Sequence, residues 1–291
     1  MSILQAIILG IVQGLTEFIP ISSTAHLVLV SRLIGLFGDV NATLRAEQTT
    51  ATIAVIQLGT LLAVLIYFAR DIVNITRAFV SDHISLLTRR NRIATLSQDA
   101  WLGWLVIIGS LPVAIVGLLF KKQIEGTFTK NLWVIATMMI VIALMLALAE
   151  AIGRRSRDLS RLGIRDALAV GFAQVLALVP GSSRSGSTIM AGLFAGETRE
   201  TAARFSFLLS MPAIAASGLL ELKEAIHKLP SGSFFPLLVA TLVSGLIGYA
   251  SIWFLLRFLK THSTGIFIAY RLILGGFIIV ALATGYISAT G

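Results

Sequence analysis

Apolar runs without a single charge recur along this chain at lengths that suit a lipid bilayer: residues 48–69, 100–120, 131–149 and 229–256. A helix needs about 20 apolar residues to cross the hydrocarbon core. Within that core every backbone polar group must be satisfied inside the protein, so the expected fold is an all-α polytopic membrane protein. With 56% hydrophobic and 13% charged residues, the composition agrees. The net charge of +9 would suit nucleic acid if it lay on one soluble face. Instead the positive residues fall in short loops between apolar runs, which fits anionic lipid headgroups and excludes a nucleic-acid partner. Cysteine is absent, so no disulfide framework, thiolate metal site or cysteine nucleophile exists.

Six segments read as full spans, at about residues 50–69, 101–120, 131–150, 205–222, 234–256 and 265–287. Trp101, Trp104, Trp133 and Trp253 sit near their ends, as interfacial anchors do. Two further apolar regions, 3–36 and 164–196, are broken in mid-run by Pro20-Ile21-Ser22-Ser23 and by Pro180-Gly181-Ser182-Ser183. Non-helical backbone at membrane depth survives only where protein or water satisfies it, so both are expected to be re-entrant helical hairpins. Gly10-x-x-Gln13 precedes the first break and Gly171-x-x-Gln174 the second, with spacings to the proline that differ by one residue.

Each hairpin is followed by three expected spans. The sequence therefore predicts one membrane domain over 1–291, with a first repeat in 1–152 and a second in 160–291. A hairpin returns to its own side while three spans cross an odd number of times, so the second repeat is inverted and both loops point into one cavity. Arg70, Arg77, Arg89, Arg90, Arg92, Arg154, Arg155, Arg157, Arg161, Arg165 and Lys260 fall on one side, Lys121, Lys122, Lys130, Lys223 and Lys228 on the other. The arginine-rich side is expected to be cytoplasmic, with both termini outside.

Glu17 is the only formal charge in residues 2–31, apart from any charge on His26, and Gln13 lies one turn before it on the same helix face. A carboxylate at membrane depth points to function. With Gln13 it offers hard oxygen ligands for Mg²⁺ or Ca²⁺; the plainer reading is a snorkelling interfacial Glu. Ser23 and His26, three residues apart, can form a nucleophile and general-base pair, although serines after proline are also ordinary helix caps. Gly181, Ser182, Ser183, Arg184, Ser185, Gly186 and Thr188 combine backbone donors, hydroxyls and one guanidinium at a predicted helix start, the requirements of a phosphate cradle. An arginine there needs an anionic partner, either a ligand or Glu17. The run lies one residue from a P-loop, but it lacks the lysine and the preceding strand, which argues against nucleotide binding. Gln57 is expected to make an interhelical hydrogen bond, and Arg271 to snorkel toward the cytoplasmic boundary. His83, His227 and His262 carry no case.

The runs from Gln13 to His26 and from Pro180 to Thr188 resemble those of the undecaprenyl-diphosphate phosphatase (bacitracin-resistance protein) family. So do the segment from Ile56 to Ala63, the run from Phe205 to Pro212, and Ala269-Tyr270-Arg271. The resemblance implies a bacterial inner-membrane hydrolase that converts undecaprenyl diphosphate to undecaprenyl phosphate and recycles the carrier lipid of cell-wall synthesis. It also implies a divalent cation, a site opening to the outer face, and bacitracin resistance. Gln13 stands where family members carry Glu or Gln, so this chain has one negative charge fewer at the cation than a Glu-bearing member. Ile53 stands where many carry an acid, so no role of that acid transfers. On these grounds Glu17, Ser23, His26 and Arg184 are the candidate catalytic residues, with Gln13 and Glu17 as metal ligands. A polyprenyl diphosphate and membrane lipid are the expected partners, and a homodimer is compatible with the sequence. Lipid or ion transport is the competing class. A type 2 phosphatidic acid phosphatase is disfavoured, because Met190 stands where its histidine would follow Ser183-Arg184.

Overall fold

A computed structural model describes residues 1–38, 40–88, 96–120, 131–229 and 232–289, without the side chains of Ala42, Thr43, Ala46, Ser217 and residues 219–228. These form helices α1 (Ile3–Phe18), α2 (Ser23–Leu33), α3 (Ala42–Tyr67), α4 (Ala69–Leu87), α5 (Gln98–Leu119) and α6 (Leu132–Ile152). After them come α7 (Ile164–Val175), α8 (Arg184–Phe194), α9 (Arg199–Lys228), α10 (Phe234–Thr261) and α11 (Gly265–Ala283). Arg89, Arg90, Arg92, Lys121, Lys122 and Lys130, and the side chains of Lys223, His227 and Lys228, lie outside the described residues.

Among the described residues five helices are long and apolar enough to cross a membrane: Glu47–Tyr67 within α3, α5, α6, α10 and α11. The sixth expected span, about 205–222, falls inside the 30-residue α9, which is not among the five. Residues 70–87, expected as a basic loop, are helical instead. In α4 apolar side chains alternate with charged ones at helical spacing, so the segment is amphipathic rather than charge-free. Ile75 and Phe79 pack over Gly103 of α5, while Val73, Val80, Ile84 and Leu87 stay exposed, as in a helix lying along a membrane surface. His83 has a structural part here: its Nδ1–H donates to Phe79 O at 2.6 Å and its Nε2 accepts from Trp104 Nε1 at 3.1 Å.

The two broken regions are helical pairs with matching landmarks. Ile3 and Ile164 open the first helices, Ser22 and Ser183 cap the second, Ser23 and Arg184 begin them, and Leu33 and Phe194 end them. Every counterpart lies 161 residues on (3 to 164, 22 to 183, 23 to 184, 33 to 194). The one-residue mismatch at the prolines therefore disappears when the caps, rather than the prolines, are aligned. Ser22 (φ 77, ψ 96) and Ser183 (φ 67, ψ 116) share a left-handed conformation that non-glycine residues rarely adopt. Each side-chain oxygen accepts from the third residue of its helix, Ala25 N at 3.5 Å and Gly186 N at 3.1 Å. Holding such a conformation costs about 1–3 kcal/mol, so the surroundings must enforce it twice. The first helices pack alike: a Cβ on Gly10 would lie 2.5 Å from Ala240 O of α10, and one on Gly171 2.3 Å from Gly109 O of α5.

The hairpins enter from opposite ends of the bundle. Arg32, near the end of α2, donates to Ser288 O, and Leu132 N at the start of α6 donates to Ala289 O. At the other end Trp101 Nε1 donates to Leu162 O beside α7, and Ser156 and Arg157 amides donate to Gly196 O beyond α8. That second end is tied by charge. Glu150 accepts from Arg155, Arg199 and Thr264, Arg157 holds both oxygens of Asp166 at 2.6 Å, and Arg204 reaches Asp71. Glu197, in the loop between α8 and α9, is fully buried; burial, with a contribution from Asp166 and opposed by Arg157, pushes its carboxyl up to about 8. It is therefore neutral near pH 7.

Arg271 holds the two loop tips together. It sits two turns into α11 with 0% of its surface exposed and makes five hydrogen bonds, all to backbone carbonyls. Nε donates to Met139 O at 3.1 Å and Nη1 to Pro20 O at 3.4 Å; Nη2 reaches Met138 O, Gly181 O and Ser182 O at 3.3, 3.0 and 3.1 Å. The expectation that Arg271 snorkels is thus corrected: non-helical loops at mid-bundle have orphan carbonyls, and a buried guanidinium with five N–H donors satisfies them. Arg271→Met removes every donor, and each stranded carbonyl costs about 1–3 kcal/mol. Its apparent Tm in detergent should fall sharply, and Arg271→Lys, with three donors on one nitrogen, should recover only part of the loss. A wild-type Tm for Arg271→Met would show that the loops do not depend on this clamp.

Candidate active site

A cavity of about 650 Å³ opens between the two loop tips and helices α3, α5 and α9. One part of its wall is polar, with Gln13, Glu17, Ser22, Ser23, Thr24, Gln57, Ser183 and Arg184. The rest is apolar and small, including Val113, Ala114 and Gly117 of α5, Ala177 and Leu178 after α7, and Pro212, Ala213 and Ala216 of α9. Ile53, the position without an acid, also lines it.

Glu17 and Arg184 meet here although 167 residues separate them. Arg184 Nη2 donates to Glu17 Oε1 at 2.9 Å, and both side chains are largely buried. This is the anionic partner that an intramembrane arginine requires. Gln13 Nε2 donates to Glu17 Oε2 at 3.1 Å and to Thr60 Oγ1 of α3 at 3.3 Å, so the acid is held from both sides. Two groups next to the pair have no partner among the described residues, Gln13 Oε1 and Arg184 Nη1. One is a free oxygen ligand and the other a free cationic donor.

Ser23 and Arg184 are the first residues of α2 and α8, so both helix N-termini open at the cavity. His26 is placed differently. Its Nδ1 lies 2.7 Å from Ser22 O, a carbonyl that only accepts, so the proton sits on Nδ1; Nε2 then accepts from Tyr270 OH at 2.6 Å. His26 does not line the cavity, and both its nitrogens are engaged away from Ser23. Within the predicted cradle Gly181, Ser183 and Arg184 line the cavity, whereas Ser182, Ser185, Gly186 and Thr188 lie behind it. Gly181 is pressed on α6, where a Cβ would lie 2.2 Å from Ile135 O, and Gly186 leaves room for Arg271. Thr188 Oγ1 bonds Arg184 O at 2.7 Å and Ser206 Oγ of α9 at 2.6 Å.

Among the described residues no three His, Cys, Asp or Glu side chains form a metal cluster. The local donors still suit a hard cation whose remaining ligands come from a phosphate substrate: one carboxylate at Glu17 and the unpartnered Oε1 of Gln13. Thr60, Tyr270 and Gln174 are the residues that motif reading did not assign to the site. Each had a signal: Thr60 and Tyr270 stand in runs that resemble the family, and Gln174 sits in the second hairpin opposite Gln13.

Residues 6–277 match the family model described as bacitracin resistance protein BacA. The undecaprenyl-diphosphatase of Syntrophobacter fumaroxidans is 54% identical over 276 residues, covering 95% of this chain and 96% of that protein. That of Chloroherpeton thalassium is 49% identical over 99% of this chain and 100% of its own length. The Mycobacterium marinum protein of the same name is 49% identical over 100% and 98%. Since the matched stretch contains all but the first three residues of the first hairpin, the whole of the second and every described residue on the cavity wall, the chain belongs to the bacitracin resistance protein BacA family.

Proposed function

We propose that this protein hydrolyses undecaprenyl diphosphate to undecaprenyl phosphate and inorganic phosphate, recycling the carrier lipid of bacterial cell-wall synthesis and thereby conferring bacitracin resistance. The observation that carries the reading is the Glu17–Arg184 pair on the polar wall of a cavity whose other wall is apolar. A prenyl chain fits the second wall and a diphosphate the first. The names of the relatives support the same substrate.

In this reading the two hairpins are re-entrant halves of an inverted repeat, as their entry from opposite ends and matched caps suggest. The arginine-rich end faces the cytoplasm of the inner membrane. α5 starts at that end and lines the cavity with its far half, Ser110 to Leu118, which favours access from the outer face.

The terminal phosphoryl group lies against Arg184 and the amides that open α8, where catalysis is chiefly positioning and charge stabilisation. Ser23 or a water attacks the terminal phosphorus, and the bridging P–O bond breaks with the lipid monophosphate as leaving group. If Ser23 attacks, water then releases phosphate from the seryl ester. For His26 to accept the proton at Nε2, its ring must leave Tyr270 and turn toward the cavity. Glu17 and Gln13 Oε1 would hold Mg²⁺ or Ca²⁺, which supplies charge neutralisation to the phosphates.

Purified protein should release phosphate from a polyprenyl diphosphate; flux of lipid across sealed vesicles without release would select transport instead. In the same assay Arg184→Lys keeps the charge but loses the planar fork and should cost at least about tenfold in activity. Wild-type turnover in Arg184→Ala would remove the phosphate-binding assignment altogether.

A second measurement separates a metal role of Glu17 from a structural one. Glu17→Gln keeps the shape and a hydrogen bond but strips Arg184 of its anion, so stability falls as well; read at a temperature where the variant stays folded, activity should still collapse through loss of the only carboxylate among the described residues that line the cavity. Gln13→Glu should shift half-maximal activation to lower Mg²⁺ or Ca²⁺. Near-normal turnover of Glu17→Gln with an unchanged metal response would refute the ligand role.

A further inference from the structure

Gln174 is the structural counterpart of Gln13, 161 residues later and at the same place in its hairpin. Gln13 uses its amide to hold Glu17, but the residue matching Glu17 in the second hairpin is Leu178, so Gln174 has no acid to hold. Its side chain is 0% exposed, and both its Nε2 and its Oε1 lack a hydrogen-bond partner among the described residues. Buried amides are almost always paired, because an unmade hydrogen bond retains the full cost of desolvation. A side chain left unpaired on a cavity wall therefore points to a polar group that arrives with the ligand.

Its place on the wall indicates which group. Ala177 and Leu178 lie one turn beyond it, and α7 crosses α5 at Gly171 and Gly109, so that Gln174 and Val113 each line the cavity about one turn past the crossing. The other polar side chain on this wall, Ser110, already donates to Val106 O at 2.7 Å. Gln174 is thus an amide donor set among the surfaces that suit a prenyl chain, with Arg184 completing the polar side of the same cavity.

We infer that Gln174 is a substrate-binding residue whose Nε2 donates to the phosphate that stays on the prenyl chain, while Arg184 takes the terminal phosphate that is released as inorganic phosphate. The inference rests on the proposed function in the identity of the lipid. It predicts that the binding energy from Gln174 is kept in the product, because the retained phosphate is common to the diphosphate and the monophosphate. Gln174 thereby sets lipid affinity more than turnover.

Titration calorimetry of detergent-solubilised protein with farnesyl monophosphate and farnesyl diphosphate tests this, beside phosphate release and thermal melting. Gln174→Met keeps length and volume without the amide. It should weaken binding of both lipids by at least about tenfold, raise KM similarly with kcat changed less than about threefold, and leave inhibition by inorganic phosphate unaltered. The Tm should hold or rise, since an orphan amide has been removed from the interior. Unchanged lipid affinity overturns the inference, as does a lowered Tm without any change in affinity. Weaker inhibition by inorganic phosphate alone would move Gln174 to the terminal phosphate and overturn it too. Wild-type protein that binds both lipids but releases no phosphate would refute the proposed function while leaving Gln174 testable through affinity. Wild type that binds neither refutes both.

Discussion

The guanidinium of Arg271 makes two broken helices compatible with the middle of a bundle. Each hairpin tip abandons helical hydrogen bonding in a region where water is scarce, and its carbonyls would otherwise stand unpaired. One side chain from α11 reaches Pro20 O in the first tip and Gly181 O and Ser182 O in the second, and its other bonds anchor it to Met138 and Met139 of α6. The tips are consequently fixed relative to each other as well as to the bundle. The left-handed caps at Ser22 and Ser183 are the backbone cost of that arrangement, and they bring the N-termini of α2 and α8 to one cavity.

Glu17 and Arg184 have a different relation to their surroundings. Arg271 is satisfied entirely by neutral carbonyls, whereas Arg184 uses one nitrogen on Glu17 and keeps Nη1 free of any partner among the described residues. A fully paired arginine is a structural group, and one with a spare donor on a cavity wall is suited to bind an anion. A related difference separates Gln13, whose Nε2 holds the acid and Thr60 while its Oε1 stays open, from Gln174, neither of whose polar side-chain atoms has a partner among the described residues. The two arginines therefore divide into a supporting member and one that faces the cavity.

Charges inside apolar runs were readable because membrane burial of an ion demands a reason, which marked Glu17 and Arg184 before any contact was known. The breaks at Pro20 and Pro180 were equally plain as interruptions of long hydrophobic segments. Arg271 was not readable in this way: its position two turns into a helix suited a snorkelling side chain, and nothing local reveals that two loop tips lie against it. The partnership of His26 with Tyr270, 244 residues away, was likewise beyond local reading. Spacing suggested Ser23 for His26, and local spacing says nothing of the Tyr270 hydroxyl that holds Nε2 in this structure. α4 is not legible as a span because its charges recur among its apolar residues at helical spacing instead of leaving a charge-free run.

By itself the sequence determined the membrane class, the two interruptions, the internal likeness of the hairpins and the two intramembrane ions. Those properties follow from hydrophobicity, length and the cost of charge in lipid, all of which are local. Tertiary structure decided the register of the likeness, which follows the caps rather than the prolines. It also decided which arginine clamps and which faces the cavity, and which residues of the glycine-serine run line the cavity rather than pack behind it. Those outcomes depend on which carbonyls, acids and backbones approach from helices more than a hundred residues away. Hydrogen bonding acts over about 3 Å of space without regard to separation along the chain.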